Sequence, residues 1–272
     1  MFWQRFFVVI LGVPTCYFVI YNGGWLFSLV LLILLTIGCY EYARMAFGGE
    51  SYAQMGLLIA TVWIVLFAEY FKLSPGYEFY VYISLFLLLA YSLWGYEKRN
   101  LTFPENHLMK MILGFMIIGW MGRYLFVVRD LDLNGSAFLL IMFAIWAADV
   151  GAYVFGSLIG RTKMAPNTSP GKSIEGYLSG IAFSCVMTPL FGILLFPVYS
   201  TMHVVIIALI LSIGVPLGDL GMSMLKRQAG VKDYGGIIPG HGGVMDRLDT
   251  ILWGVVPGYY LIVLIAQGVL VN

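Results

Sequence analysis

Long, unbroken apolar runs separated by short polar breaks dominate the chain. Nine runs stand at about 6–21, 25–40, 55–71, 78–95, 111–128, 137–158, 177–197, 203–225 and 251–270. Each approaches the roughly 20 residues that an α-helix needs to cross a bilayer's hydrocarbon core. The runs are continuously apolar rather than alternating, which predicts helices and excludes a β-barrel. The breaks hold turn formers and charges: Asn22-Gly23-Gly24, Gly48-Gly49-Glu50, Ser74-Pro75-Gly76, Glu97 to Pro104 and Arg129 to Gly135. Trp25, Tyr52, Tyr77, Trp94 and Tyr96 sit near run ends, where an interfacial aromatic belt belongs. The run Phe6 to Tyr21 lacks a small-residue cleavage site and is followed at once by another, so it reads as a first span and not a signal peptide. The predicted fold class is all-α, a polytopic transmembrane helical bundle of about nine spans.

Composition narrows the class further. Of 272 residues, 61% are hydrophobic and 11% charged, and the mean hydropathy is +0.90. A soluble domain carries about 25% charged residues, so soluble, fibrous and disordered classes are excluded. The net charge of +1 gives no field for nucleic acid, and no nucleic-acid partner is expected. Cys16, Cys39 and Cys185 all lie in apolar runs and offer neither a disulfide framework nor metal-ligand spacing.

The basic residues predict an orientation. With nine spans, 12 of the 15 lysines and arginines fall on the side of the N-terminus, leaving Lys72, Arg123 and Arg129 opposite. The positive-inside rule makes that side cytoplasmic, with the C-terminus outside. Loop lengths divide the chain in two. Residues 1–135 read as scaffold spans with short loops and as the expected place of dimer contacts. Residues 136–272 read as a catalytic region whose cytoplasmic loops, 159–176 and 224–250, hold most of the polar chemistry.

Within that region two acids interrupt apolar runs. Placing Asp149 or Asp219 mid-membrane costs about 2.5–3.5 kcal/mol on insertion scales, so each needs a reason, either an ion pair that fixes packing or a functional site. Asp219, Ser223, Lys226 and Arg227 stand at i, i+4, i+7 and i+8, one stripe of a helix. An acid deep in a helix with two cations at its end suits a metal-bound polyphosphate, because Mg²⁺ takes one or two carboxylates and completes its shell with phosphate oxygens. Beyond it, residues 235–243 hold five glycines, which let backbone N–H groups converge on an anion. Lys232, Asp233, His241, Gly242, Gly243, Asp246, Arg247 and Asp249 accompany them. In the loop 159–176, Gly171-Lys172-Ser173 invites comparison with a P-loop. The comparison fails, because the first glycine of that pattern would fall on Pro166. Ser169, Lys172 and Ser173 remain as donors near a helix start, a natural phosphate site, and Glu175 reads equally as a cap of that helix. The pairs Gly156/Gly160 and Gly176/Gly180 match the small-residue packing pattern of membrane helices.

These residues resemble the phosphatidate cytidylyltransferase (CDP-diacylglycerol synthase) family. Ser223, Leu225, Lys226, Arg227, Lys232, Asp233, Gly235, Ile238, Pro239, His241, Gly242, Gly243, Val244, Asp246, Arg247, Leu248 and Asp249 fill that family's signature over 27 residues. Upstream, Asp149, Ala152, Tyr153, Gly156 and Gly160, then Ser169, Pro170, Lys172, Ser173, Glu175 and Gly176, are similar to its second block. The strong resemblance covers roughly residues 146–250, and the first five spans match in character alone.

The resemblance implies a bacterial inner-membrane enzyme, with its site facing the cytoplasm, that makes CDP-diacylglycerol and pyrophosphate from CTP and phosphatidic acid. It implies Mg²⁺, with K⁺ as a candidate second cation, a membrane-lipid environment and a homodimer. It places the metal on Asp219 and Asp246 and the essential lysine at Lys172, with Asp149 or Asp249 as lesser acids. Ser169, Ser173, Ser223, Lys226, Arg227, Lys232, Asp233, His241, Gly242, Gly243, Arg247 and Asp249 are then expected to meet substrate, and Asp149 is expected to join Asp219, Asp246 and Lys172 in catalysis. Two rival readings, a CTP-dependent lipid kinase and an ion-coupled transporter, predict γ-phosphate transfer and flux without CTP consumption respectively.

Overall fold

A computed structural model describes residues 2–48, 52–99, 104–195, 199–238 and 242–269. Its helices are α1 (Phe2–Asn22), α2 (Gly24–Phe47), α3 (Tyr52–Tyr70) and α4 (Tyr77–Arg99). One continuous span follows, made of α5 (Pro104–Gly114), a π-helical stretch (Phe115–Met121) and α6 (Gly122–Arg129). The second half holds α7 (Ser136–Ile159), α8 (Ile174–Leu195), α9 (Thr201–Gln228) and α10 (Met245–Ala266), with strands β1 (Lys163–Ala165) and β2 (Ser169–Ser173) between α7 and α8. Among the described residues, eight helical stretches are long and apolar enough to cross a membrane, counting Glu105–Arg129 as one. The helical polytopic class expected from the apolar runs therefore holds. Helix α1 forms where the first of the nine spans was expected, but it is not among the eight.

The helices group into two compact units. The first comprises residues 1–13, 24–127 and 233–248. Its core is Leu35 of α2, Leu58, Val62 and Val65 of α3, Leu88 of α4, and Phe115 and Ile118 of the π stretch, all buried. Tyr42 enters this core because Gly114 has no side chain; a Cβ there would overlap the Tyr42 ring. Its hydroxyl then donates to the Lys110 carbonyl at 2.8 Å. Arg123 and Glu69 form a buried ion pair at 3.1 Å, and the Arg123 guanidinium lies 3.3 Å over the Tyr77 ring.

The second unit comprises residues 14–23, 128–232 and 249–272. Helices α7 and α8 pack closely enough that a Cβ on Gly176 would lie 2.9 Å from the Ala152 carbonyl, and one on Gly180 2.7 Å from the Ala148 carbonyl. The small-residue pattern does what its spacing predicted: it lets two backbones approach where lipid offers no hydrophobic gain for larger side chains. Arg129, which is 4% exposed, donates to the Ile20 and Tyr21 carbonyls at the end of α1, satisfying acceptors that a helix terminus leaves open. At the other side of that turn, the Asp132 carboxylate accepts the N–H groups of Asn134, Ser136 and Ala137 and so starts α7.

Candidate active site

In the second unit, the segment read as a loop over 159–176 carries an antiparallel hairpin, with Lys163 opposite Ser173 and Ala165 opposite Ser169. Turn formers at its tip (Pro166, Asn167) explain the reversal. Its base is tied to α8. The Ile174 N–H donates to the Thr162 carbonyl at 2.9 Å, and the Glu175 carboxylate accepts the N–H groups of Arg161 at 3.0 Å and Thr162 at 3.1 Å. Glu175 thus holds the hairpin rather than capping its own helix. The cap of α8 is Ser173, whose buried Oγ accepts from the Gly176 N–H at 3.1 Å.

The hairpin overhangs a cavity of about 400 Å³. Asp149, Tyr153 and Ser157 of α7, Ser169, Lys172 and Ser173 of the hairpin, Tyr177 of α8, and Ser212 and Pro216 of α9 line it. The hairpin supplies a cationic and two hydroxyl side chains, while on the helices Ala148, Ala152, Gly156, Gly176 and Gly180 make much of the lining apolar around Asp149 and the hydroxyl groups. Pro216 removes the helical hydrogen bond to the Ser212 carbonyl, and Tyr177 donates its hydroxyl to the neighbouring Ile213 carbonyl at 2.9 Å. An amphiphile with an anionic end fits such a space. Ser157, Tyr177 and Ser212 were not among the residues the sequence singled out, and Tyr153 was named there without a role; a hydroxyl within a small-residue stripe carries no spacing signal of its own.

The α9 stripe forms as its spacing predicted, and each charged member has a partner. Asp219 pairs with Lys172 of the hairpin; both side chains are partly buried. Lys226 and Asp249 form a buried pair at 3.6 Å, and Asp249 also accepts the Thr250 N–H at 2.8 Å. Arg227 donates from Nε to the Thr168 carbonyl and from Nη1 to the Val231 carbonyl, each at 3.2 Å, anchoring the hairpin to the end of α9. Ser223 is partly exposed, and Lys232, Asp233 and Arg247 are exposed.

In the first unit, the glycine-rich segment converges on carboxylates of the chain itself. The Asp246 Oδ2 accepts the Tyr234 N–H at 2.8 Å and the Gly243 N–H at 3.0 Å. Glu41 of α2, which is 2% exposed, accepts the Met245 N–H at 2.8 Å. Two glycines admit Glu41: a Cβ on Gly243 would lie 2.5 Å from its Oε2, and one on Gly235 would overlap its Oε1. Gly242 sits at φ +84° and starts the return that pairs it with Ile238. His241 lies outside the described residues. Glu41 was missed in the sequence because it falls one residue past the apolar run 25–40, where a charged residue needs no special reason; in the structure α2 continues to Phe47 and Glu41 is buried.

Among the described residues, no group of three or more His, Cys, Asp or Glu could hold a metal alone. Asp219 and Asp246 are hard oxygen donors, the kind that bind a hard cation whose shell substrate phosphates complete.

The model of the cytidylyltransferase family matches residues 3–265. The chain is similar to the phosphatidate cytidylyltransferase of Bacillus subtilis (strain 168), 30% identical over 270 residues covering 96% of this chain and 97% of that one. It is 30% identical to the Synechocystis protein of that name over 298 residues, 96% of this chain and 97% of that one. It is 31% identical to the Pseudomonas aeruginosa protein of that name over 259 residues, 90% of each. A helical membrane chain with a lysine–aspartate pair at an amphiphile-sized cavity, matched nearly end to end by these proteins, belongs to the cytidylyltransferase family.

Proposed function

We infer that the protein is a phosphatidate cytidylyltransferase, which makes CDP-diacylglycerol and pyrophosphate from CTP and phosphatidic acid. The observation that carries this is the near full-length match, joined to a largely apolar cavity that Lys172 lines. A phosphate-monoester oxygen of the lipid attacks the α-phosphorus of CTP. The bond from that phosphorus to the bridging oxygen breaks, and pyrophosphate leaves with the electron pair. Such transfer depends on positioning and charge stabilisation and needs no covalent nucleophile.

Lys172 exchanges its Asp219 partner for a phosphate oxygen, while Ser169 donates a hydrogen bond at the mouth of the cavity. Asp149 orients donors on the opposite wall. Lys226, Arg227, Lys232 and Arg247 raise the local positive potential for the triphosphate, and Ser223, Asp233, His241, Gly242 and Gly243 shape its seat. Ser173 and Asp249 act by holding α8 and Lys226 in place. The family generally needs a divalent cation. Asp219 and Asp246 would hold Mg²⁺, with K⁺ as the second cation, and when bound the ions neutralise charge on the triphosphate oxygens.

The chain is a multi-pass membrane protein with eight candidate spans among its described residues. The distribution of lysine and arginine supports a cytoplasmic N-terminus, an outer C-terminus and a site facing the cytoplasm of a bacterial inner membrane. We place homodimer contacts on the spans within residues 1–135.

The test uses purified protein in detergent with phosphatidic acid, α-³²P-labelled CTP and Mg²⁺. Label in a lipid-extractable product, with pyrophosphate released and both abolished by EDTA, is the expected result. Label that stays in water-soluble nucleotide while CTP-binding protein is present would overturn the reading.

A further inference from the structure

The acid Glu41 stands outside the motif-bearing region, in an apolar helix, and nothing in the proposed chemistry uses it. Its side chain is buried, and among the described residues its Oε1 has no hydrogen-bond partner. Burying a carboxylate is costly, and a half-satisfied one more so. The surroundings are arranged to receive it nonetheless. Gly235 and Gly243, at the two ends of the glycine-rich segment, both lie against its carboxylate and lack the Cβ that would displace it. Its Oε2 accepts the Met245 N–H, the first residue of α10. Next along that helix, Asp246 accepts the N–H groups of Tyr234, which adjoins Gly235, and of Gly243 itself.

We propose that Glu41 is a positioning residue for the nucleotide: by seating Gly235, Gly243 and the first turn of α10, it fixes where Asp246 and the glycine-rich segment stand. A carboxylate on one helix thereby sets the register of a segment nearly 200 residues later; the Glu41–Met245 separation is 204 residues. The inference rests on the cytidylyltransferase reading and concerns CTP, because the segment it holds is the one assigned to the nucleotide.

The experiment compares Glu41→Gln, Glu41→Asp and Glu41→Ala in the full-length protein in detergent. Glu41→Gln keeps an acceptor at the same reach and stays near wild type. Glu41→Asp falls short of the Met245 N–H, and Glu41→Ala removes the acceptor. Both raise the KM for CTP by about tenfold, leave the KM for phosphatidic acid within about twofold, and weaken Mg²⁺–CTP binding measured by calorimetry without lipid. Hydrogen exchange across 234–246 speeds up in the same two variants. A merely structural role would lower Vmax with the folded fraction and leave the KM for CTP unmoved, and that result overturns the proposal. If Glu41→Ala does not fold, Glu41→Asp reads the same quantities. Wild-type protein that makes no lipid-linked label defeats the underlying reading instead, so the two failures are distinguishable.

Discussion

Carboxylates are neutralised differently in the two site-bearing regions. On α9 and the second part of α10, Asp219 and Asp249 each face a lysine, Lys172 and Lys226. In the glycine-rich segment and α2, Asp246 and Glu41 accept backbone N–H groups. A lysine is a point charge on a flexible stem, so it can leave a carboxylate for a phosphate oxygen without moving the fold. A backbone donor cannot leave unless the chain moves. The comparison assigns exchangeable charge to the first pair and register to the second. Burial grades the lysine pairs further. The Lys172 and Asp219 side chains are 31% and 26% exposed, against 10% and 4% for Lys226 and Asp249, so the former is suited to exchange and the latter to holding structure.

The largest expected effect is on the exchangeable pair. Asp219→Asn and Lys172→Met each lower kcat by about 10²- to 10³-fold in the labelled-lipid assay, with little change in thermal stability, if their charges act on the reacting phosphates. Equal losses of stability and activity would move this pair into the structural class.

Next comes the buried pair. Lys226→Met leaves Asp249 charged and without its lysine, and should cost about 3 kcal/mol of stability, read as a lower melting temperature in detergent. Adding Asp249→Asn should recover part of that loss, and a double variant no better than Lys226→Met would show that the pair is not coupled.

The glycines give the smallest pair of effects and the sharpest contrast. Gly243→Ala drives a methyl against the Glu41 carboxylate and should destabilise by about 1–3 kcal/mol. Gly236→Ala meets nothing within 4 Å and should change the melting temperature by less than about 0.5 kcal/mol would produce. Similar effects at both positions would mean that the segment is sensitive to backbone freedom in general and not to the approach of Glu41.

The stripe Asp219, Ser223, Lys226 and Arg227 could be read directly, because helical spacing is a local property and the apolar run required a helix there. The Gly176/Gly180 pattern was equally legible, since close approach needs small residues whatever the partner. Three features were not. Lys172 meets Asp219 across 47 residues of chain. Glu175 turns to the hairpin instead of its own helix. Glu41 was hidden by its place just past the apolar run 25–40, where a charge is ordinary in one dimension although the fold buries it.

By itself the sequence determined that the chain is helical and crosses a membrane many times, and it directed the expected phosphate chemistry to the stretch between Asp149 and Asp249. Those conclusions follow from hydration: apolar length, the cost of intramembrane charge, and glycine where backbones must approach. The tertiary structure alone decided which charge neutralises which. Partner choice depends on distances between elements far apart in the chain, and on whether a donor is a mobile side chain or a fixed N–H. A linear pattern of residues contains neither.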